Sequence, residues 1–140
     1  MILQFNYEEL TALKSGATGL LREDVPADGS VLAPPEKRAR VEALVGMLDG
    51  DLSLDSLAEV HEVQEAVDSI VAWLRQEMES AVVATHAADE SAVAAYFDFA
   101  HAFTVSHRIS EMASEMTALI ELMTGASPTA ESARDIHFPD

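Results

Sequence analysis

Between Gly50 and Gly125 the chain contains neither glycine nor proline. These residues are the strongest local punctuators of a polypeptide. More than half of the 140 residues can therefore run as uninterrupted helix, and the rest must be arranged around that block. The first third is different, with Gly16, Gly19, Pro26, Gly29, Pro34, Pro35, Gly46 and Gly50 marking frequent stops.

The N-terminal segments read as two shorter helices. Asn6 stands three residues before Glu9, the spacing of a capping box, and Leu10, Leu13, Ala17, Leu20 and Leu21 follow as an apolar stripe at helical spacing. Gly16 and Gly19 weaken this helix, which frays near Arg22. Residues 23–34 read as a loop. Pro35 suits the first turn of a second helix with Val41, Leu44, Val45 and Leu48 inward, ending at Asp49-Gly50.

The long block starts between Ser53 and Ser56. Ser53 has Leu52 and Leu57 placed as a hydrophobic staple, and Ser56 has Glu59 in capping-box position. With Leu57 as heptad position a, the d positions are Val60, Val67, Leu74, Ala81, Ala88, Ala95, Ala102, Ile109, Met116 and Met123, all apolar. One continuous coiled-coil helix of about 70 residues, roughly 100 Å long, satisfies that frame. So does an antiparallel hairpin broken near His86-Ala87-Ala88-Asp89, with Asp89 capping the second arm. Trp73, Val83, Val93, Tyr96 and Phe97 add apolar residues on other faces, which suits burial against several helices. The expected fold is all-α: a helical bundle on a long antiparallel hairpin (about 54–88 and 90–124) with two shorter N-terminal helices. Residues 1–125 read as a single helical domain and 126–140 as an extended or disordered C-terminal tail, with Ile136 and Phe138 able to dock weakly.

Charge narrows the partners. Eight Lys and Arg against 25 Asp and Glu leave a formal net charge of −17. Such a surface repels phosphates and anionic lipid, so neither nucleic acid nor membrane is an expected direct partner. No segment offers the roughly 20 apolar residues of a membrane span. Met1 to Asn6 has no basic, apolar leader pattern, and cysteine is absent. The expectation is a soluble, cytoplasmic protein without disulfides.

Three His/Glu pairs at i, i+4 spacing could in principle chelate a metal: His61/Glu65, His86/Glu90 and His107/Glu111. In the heptad frame Glu65 and Glu111 point outward, and the Glu-x-x-His spacing of bundle di-metal sites is missing. No metal or other cofactor is expected; His61, Glu65, His107 and Glu111 are the residues of the alternative reading, a metal-binding bundle. The acidic run at Asp49–Asp55 fails as a calcium loop, because Leu54 stands where glycine is required and Val60 where the bidentate glutamate is. Glu36-Lys37-Arg38-Ala39-Arg40 gathers three of the eight basic residues and reads as ordinary pairing with nearby acids. No activated serine or phosphate-binding glycine loop accompanies these groups.

Tyr96-Phe97-Asp98-Phe99-Ala100-His101-Ala102-Phe103 holds four of the eight aromatic residues. At 100° per residue they spread around the helix, so one buried face cannot take them all. In a hairpin folded about residues 88–89, Asp68 lies level with His107, Glu77 with His101, and Trp73 with Phe103 or Thr104. The resulting expectation is a non-enzymatic, acidic helical interaction module. It self-associates or docks a protein partner through Trp73, Tyr96, Phe97, Phe99 and Phe103. A further alternative is an acidic decoy for a nucleic-acid-binding protein.

Overall fold

Local signals start each helix. The computed structural model describes residues 1–22, 35–85 and 90–139. The loop expected at 23–34 and the corner expected at 86–89 lie outside them. Helix α1 spans Tyr7–Arg22. Its capping box is formed: the Asn6 side chain accepts the Glu9 N–H at 2.8 Å, and the Glu9 carboxylate accepts the Asn6 N–H at 3.0 Å. Pro35 opens α2, Pro35–Met47. Val41, Leu44 and Leu48 are buried, but Val45 is exposed. The inward face of α2 is the i, i+3, i+7 row, and Val45, 100° from Leu44, turns off it.

After α2, Gly50 takes φ 118°, in the region where glycine carries no Cβ penalty. The chain then forms a two-residue strand, β2 (Leu52–Ser53), antiparallel to β1 (Ile2–Leu3), with Ile2 opposite Ser53 and Leu3 opposite Leu52. Strands this short carry no alternation by which a sequence could announce them.

Helix α3 covers Leu57–Thr85 and α4 covers Glu90–Thr124. Ser56 caps α3, its hydroxyl accepting the Glu59 N–H at 3.3 Å while the Glu59 carboxylate takes the Asp55 N–H at 2.7 Å. Gly125, at φ 72°, ends α4 and donates its N–H to the Glu121 carbonyl. Two cross-helix bonds set the register: Gln64 Nε2 to Ser110 Oγ at 2.9 Å, and Ser106 Oγ to Asp68 Oδ1 at 2.7 Å. The arms are antiparallel and the long block is a hairpin. Asp68 lies level with Ser106, one residue from its expected neighbour.

The fold is an all-α bundle around this hairpin. Its core holds Val60, Val67, Leu74, Ala102, Ile109 and Met116 from the d positions, joined by Leu13, Ala17 and Leu20 of α1 and Val41 and Leu44 of α2. The tail differs from the extended or disordered segment expected. It contains α5, Ala130–Asp135, started by a capping box between Thr129 and Ser132. Beyond it the Phe138 side chain is buried and its N–H donates to the Asp55 carbonyl at 2.6 Å. Few apolar residues suffice here, because Ala133, Ile136 and Phe138 all reach the core cluster.

Helix α1 approaches α3 through its glycines. A Cβ on Gly16 would stand 2.7 Å from Ile70 Cγ2 and 3.0 Å from Leu74 Cδ1, and one on Gly19 would run into the Trp73 ring. These glycines cost helix propensity and gain interhelical contact. Gly16→Ala is expected to destabilise by about 1–3 kcal/mol, the usual cost of overpacking, since Ile70 is β-branched and fully buried. Gly46→Ala in α2, with nothing within 4 Å of the new methyl, is expected to stabilise by up to about 1 kcal/mol. Urea unfolding of the two variants checks the opposite signs.

Candidate functional site

Among the described residues, the cover over the hairpin stops before the hairpin does. Gly19, near the end of α1, lies against Trp73 of α3. Among the described residues of α3 no side chain is buried beyond Leu74, and on α4 Ala92 alone is buried before Ala102. The d residues Ala81 and Ala95, in the same apolar frame as Val67 and Ile109, are only half-buried. The distal half of the hairpin is therefore two helices with small residues between them.

Large apolar side chains nevertheless line its outside. Val82, Val83 and Val93 are exposed, and Tyr96, Phe97 and Phe103 are 54%, 54% and 55% exposed. Tyr96 meets Phe97 edge-on, with centroids 5.7 Å apart, and Phe99 meets Phe103 at 5.8 Å. Phe99 is half-buried and packs on the core cluster. Tyr96, Phe99 and Phe103 follow i, i+3, i+7 spacing and so share one face of α4. That face borders a groove of about 640 Å³ between the arms. Val71, Ala72, Arg75, Gln76 and Glu79 line it from α3, with Phe99, Phe103 and Ser106 from α4 and Asp68 at one end. Toward the tip, Gln76 and Glu79 also border a second depression with Ser80 and Val83.

Trp73 does not join this group. It lines a separate depression with Thr11, Lys14, Ser15, Thr18, Gly19 and Arg22 of α1, and packs half-buried against the core. Levels along a hairpin follow from sequence, but the side to which a residue turns depends on which helix supplies the gap. Here the gap is Gly19. Trp73 is a packing residue between α1 and α3, apart from the exposed aromatics.

Of the three His/Glu pairs, His86/Glu90 includes a residue outside the described ones, and His61/Glu65 and His107/Glu111 are not assembled into a metal site. His107 Nε2 lies 3.2 Å from Glu111 Oε1, both side chains 70% exposed. His61 is exposed, and Glu65 is engaged by Arg40 Nε at 2.6 Å. Among the described residues no group of three or more His, Cys, Asp or Glu side chains is placed to hold a metal ion. The basic cluster is likewise occupied with the fold. Arg40 bridges α2 to Glu62 and Glu65 of α3, and Arg38 donates to the Leu21 carbonyl at 2.9 Å, serving a carbonyl that the end of α1 leaves open.

One polar pair inside the structure was not legible in the sequence. Glu9, 3% exposed, receives Arg108 Nη1 at 3.1 Å and Nη2 at 2.8 Å, while Nη1 also donates to the Gln4 carbonyl at 2.7 Å. Burial by itself would raise the Glu9 carboxyl. Hydrogen bonds from Arg108 and the Asn6 N–H, the Arg108 charge and that of His101 outweigh it and hold the group below its ordinary 4.5. Arg108 is held above its ordinary value, chiefly by its hydrogen bond to Glu9, against burial. The pair ties the first turn of α1 to the middle of α4, and its role is structural. Burial lifts Asp98 above its ordinary 3.8 while the His101 charge pulls it down.

No protein-family model matches the chain, and neither a curated protein nor a solved structure is found to be similar to it. Among the described residues no helix is long and apolar enough to cross a membrane.

Because Glu9 titrates below 4.5 when folded, its contribution is complete above that value and is lost as pH falls through the lower folded value. Below pH 4.5 the parent is therefore expected to lose stability more steeply than Arg108→Gln, in which the carboxylate has lost its partner. At neutral pH Arg108→Gln is expected to cost about 1.5–3 kcal/mol, the range of hydrogen bonds to charged groups. That is less than a fully buried pair would lose, since the Arg108 side chain is 38% exposed and water screens it. Denaturant unfolding from pH 3 to 7 measures both.

Proposed function

We propose that this protein is a non-enzymatic helical interaction module that docks a protein partner through the distal half of its hairpin. The carrying observation is the outward placement of Tyr96 and Phe97 where the bundle core has ended, and of Phe103 on the outer side of α4 where that core begins. An isolated exposed aromatic is ordinary, whereas here exposed rings occur in two touching pairs, Tyr96 with Phe97 and Phe103 with Phe99, and clustered exposed apolar groups are a mark of a contact surface. Aromatic residues also supply much of the binding energy of typical interfaces. The acidic exterior accelerates encounter with an oppositely charged surface and disfavours like-charged ones.

Trp73 is left out of this surface, since its packing against Gly19 gives it a role in the fold. The docking residues are Tyr96, Phe97 and Phe103, with Phe99 as the half-buried base on which Phe103 rests.

The test is the assembly state of the full chain purified from its own cells, read by native mass spectrometry beside a Phe97→Ala/Phe103→Ala double variant. The parent is expected in a complex of defined stoichiometry. The variant is expected as a free chain with stability within about 1 kcal/mol of the parent, because both truncations are made at exposed positions. A parent that is itself a bare monomer, or a complex that survives both substitutions, overturns the reading.

A further inference from the structure

Resting on the docking surface above, we propose that its partner presents a basic amphipathic helix, seated in the groove between Asp68 and Glu79 of α3 and Phe99 and Phe103 of α4. The shape comes first. The groove is open and lies between two antiparallel helices, with Val71, Ala72, Phe99 and Phe103 as its apolar lining. Asp68 and Glu79 are 11 positions apart on α3, about 16 Å or three helical turns. A guest helix of that length can lay three or four apolar residues, at i, i+3 or i+4, and i+7, along such a lining. The depression at Gln76, Glu79, Ser80 and Val83 extends the track toward the tip.

Charge selects the guest. The groove is lined by the carboxylates Asp68 and Glu79 and by Arg75, and Glu77, Glu90 and Asp98 stand on the same stretch of the two helices. Arg75 lies 3.5 Å from Glu79 on its own helix. An acidic helix entering this field is repelled, and a basic one is attracted over a Debye length.

A second copy of the chain fits poorly. It brings a net charge of −17, and at least five of its eight basic residues are already engaged within its own structure. Arg38 binds the Leu21 carbonyl, Arg40 binds Glu65, Arg75 sits with Glu79, Arg108 with Glu9 and Arg134 with the Ala130 carbonyl. Another protein is the better source of the cations. A guest with lysine or arginine about 11 residues apart, flanking its apolar anchors, would meet Asp68 and Glu79 together.

The experiment uses the full chain and three labelled synthetic peptides, read by fluorescence anisotropy at low and high salt. One is a lysine-rich amphipathic helix with leucine and phenylalanine at i, i+3/i+4 and i+7. The second keeps those apolar positions but replaces lysine by glutamate. The third has the composition of the first in an order that breaks its apolar face. The lysine helix is expected to bind, to weaken about tenfold in Phe103→Ala, a loss of about 1.4 kcal/mol, and to lose much of its salt dependence in Asp68→Asn/Glu79→Gln. Thermal unfolding of each variant confirms that it is folded.

Equal binding of the shuffled peptide, or binding indifferent to Phe103→Ala, identifies mere charge attraction and overturns the inference. Equal binding of the glutamate helix overturns the basic partner while leaving the groove as a docking site. Failure of all three peptides overturns the inference as well. The docking surface itself is decided separately, by whether the cellular complex disperses in the Phe97→Ala/Phe103→Ala variant.

Discussion

A difference in helix length governs this structure. At 1.5 Å per residue, the 16 residues of α1 and 13 of α2 reach about 24 Å and 20 Å, whereas the 29 and 35 residues of α3 and α4 reach about 43 Å and 52 Å. Two short helices can complete a core along only part of such a hairpin. Where they are present, Val67, Ile70, Val105 and Ile109 are sealed from water. Where they stop, α3 and α4 have only each other among the described residues, and only small residues can be enclosed between two helices. Aromatic side chains placed in that stretch have no interior to enter. The exposure of Tyr96 and Phe97 follows from that geometry, whereas Phe103, between the buried Ala102 and Val105, is exposed because it turns to the outer side of α4. These rings are the surface on which the proposed docking rests.

The covered half is held by two unlike devices. Gly16 and Gly19 remove side chains from α1 so that Ile70, Leu74 and Trp73 can press against its backbone, which increases van der Waals contact at some cost in helix propensity. Glu9 and Arg108 add direction. A buried carboxylate is costly unless it is paired and hydrogen-bonded, and Glu9 is satisfied from both sides, by the Asn6 N–H of its own cap and by the Arg108 guanidinium. The same residue thus starts α1 and orients it on α4. The arginines at 38, 40 and 108 are engaged in the fold in this way.

Much of the local structure was readable before folding. The Asn6/Glu9 box, Pro35 at the first residue of α2 and the Ser56 cap of α3 each depend on a few neighbouring residues, and each appears as the spacing implies. The heptad frame identified the inner seam of the hairpin correctly from Val60 to Leu74 and from Ala102 to Met116. It failed at Ala81 and Ala95, because an apolar position is buried only if a third element arrives to close over it. The candidate site was half legible. The aromatic segment was conspicuous in sequence, and its angular spread already required some rings to face outward. Which rings those are, and that Trp73 turns toward Gly19 instead, depends on where α1 lies.

The amino-acid order by itself determined the class of the fold, the helix starts, the strongly acidic exterior and the presence of more aromatic surface than one helix face can hold. These are consequences of short-range spacing and composition, which act within one or two turns of chain. The tertiary structure decided the rest: the close passage of α1 at its glycines, the Glu9–Arg108 clamp across 99 residues, the docking of Phe138 beside Asp55 and the groove between Asp68, Glu79 and Phe103. Each of these joins side chains from different elements. Their meeting depends on helix lengths and crossing positions that no local pattern encodes.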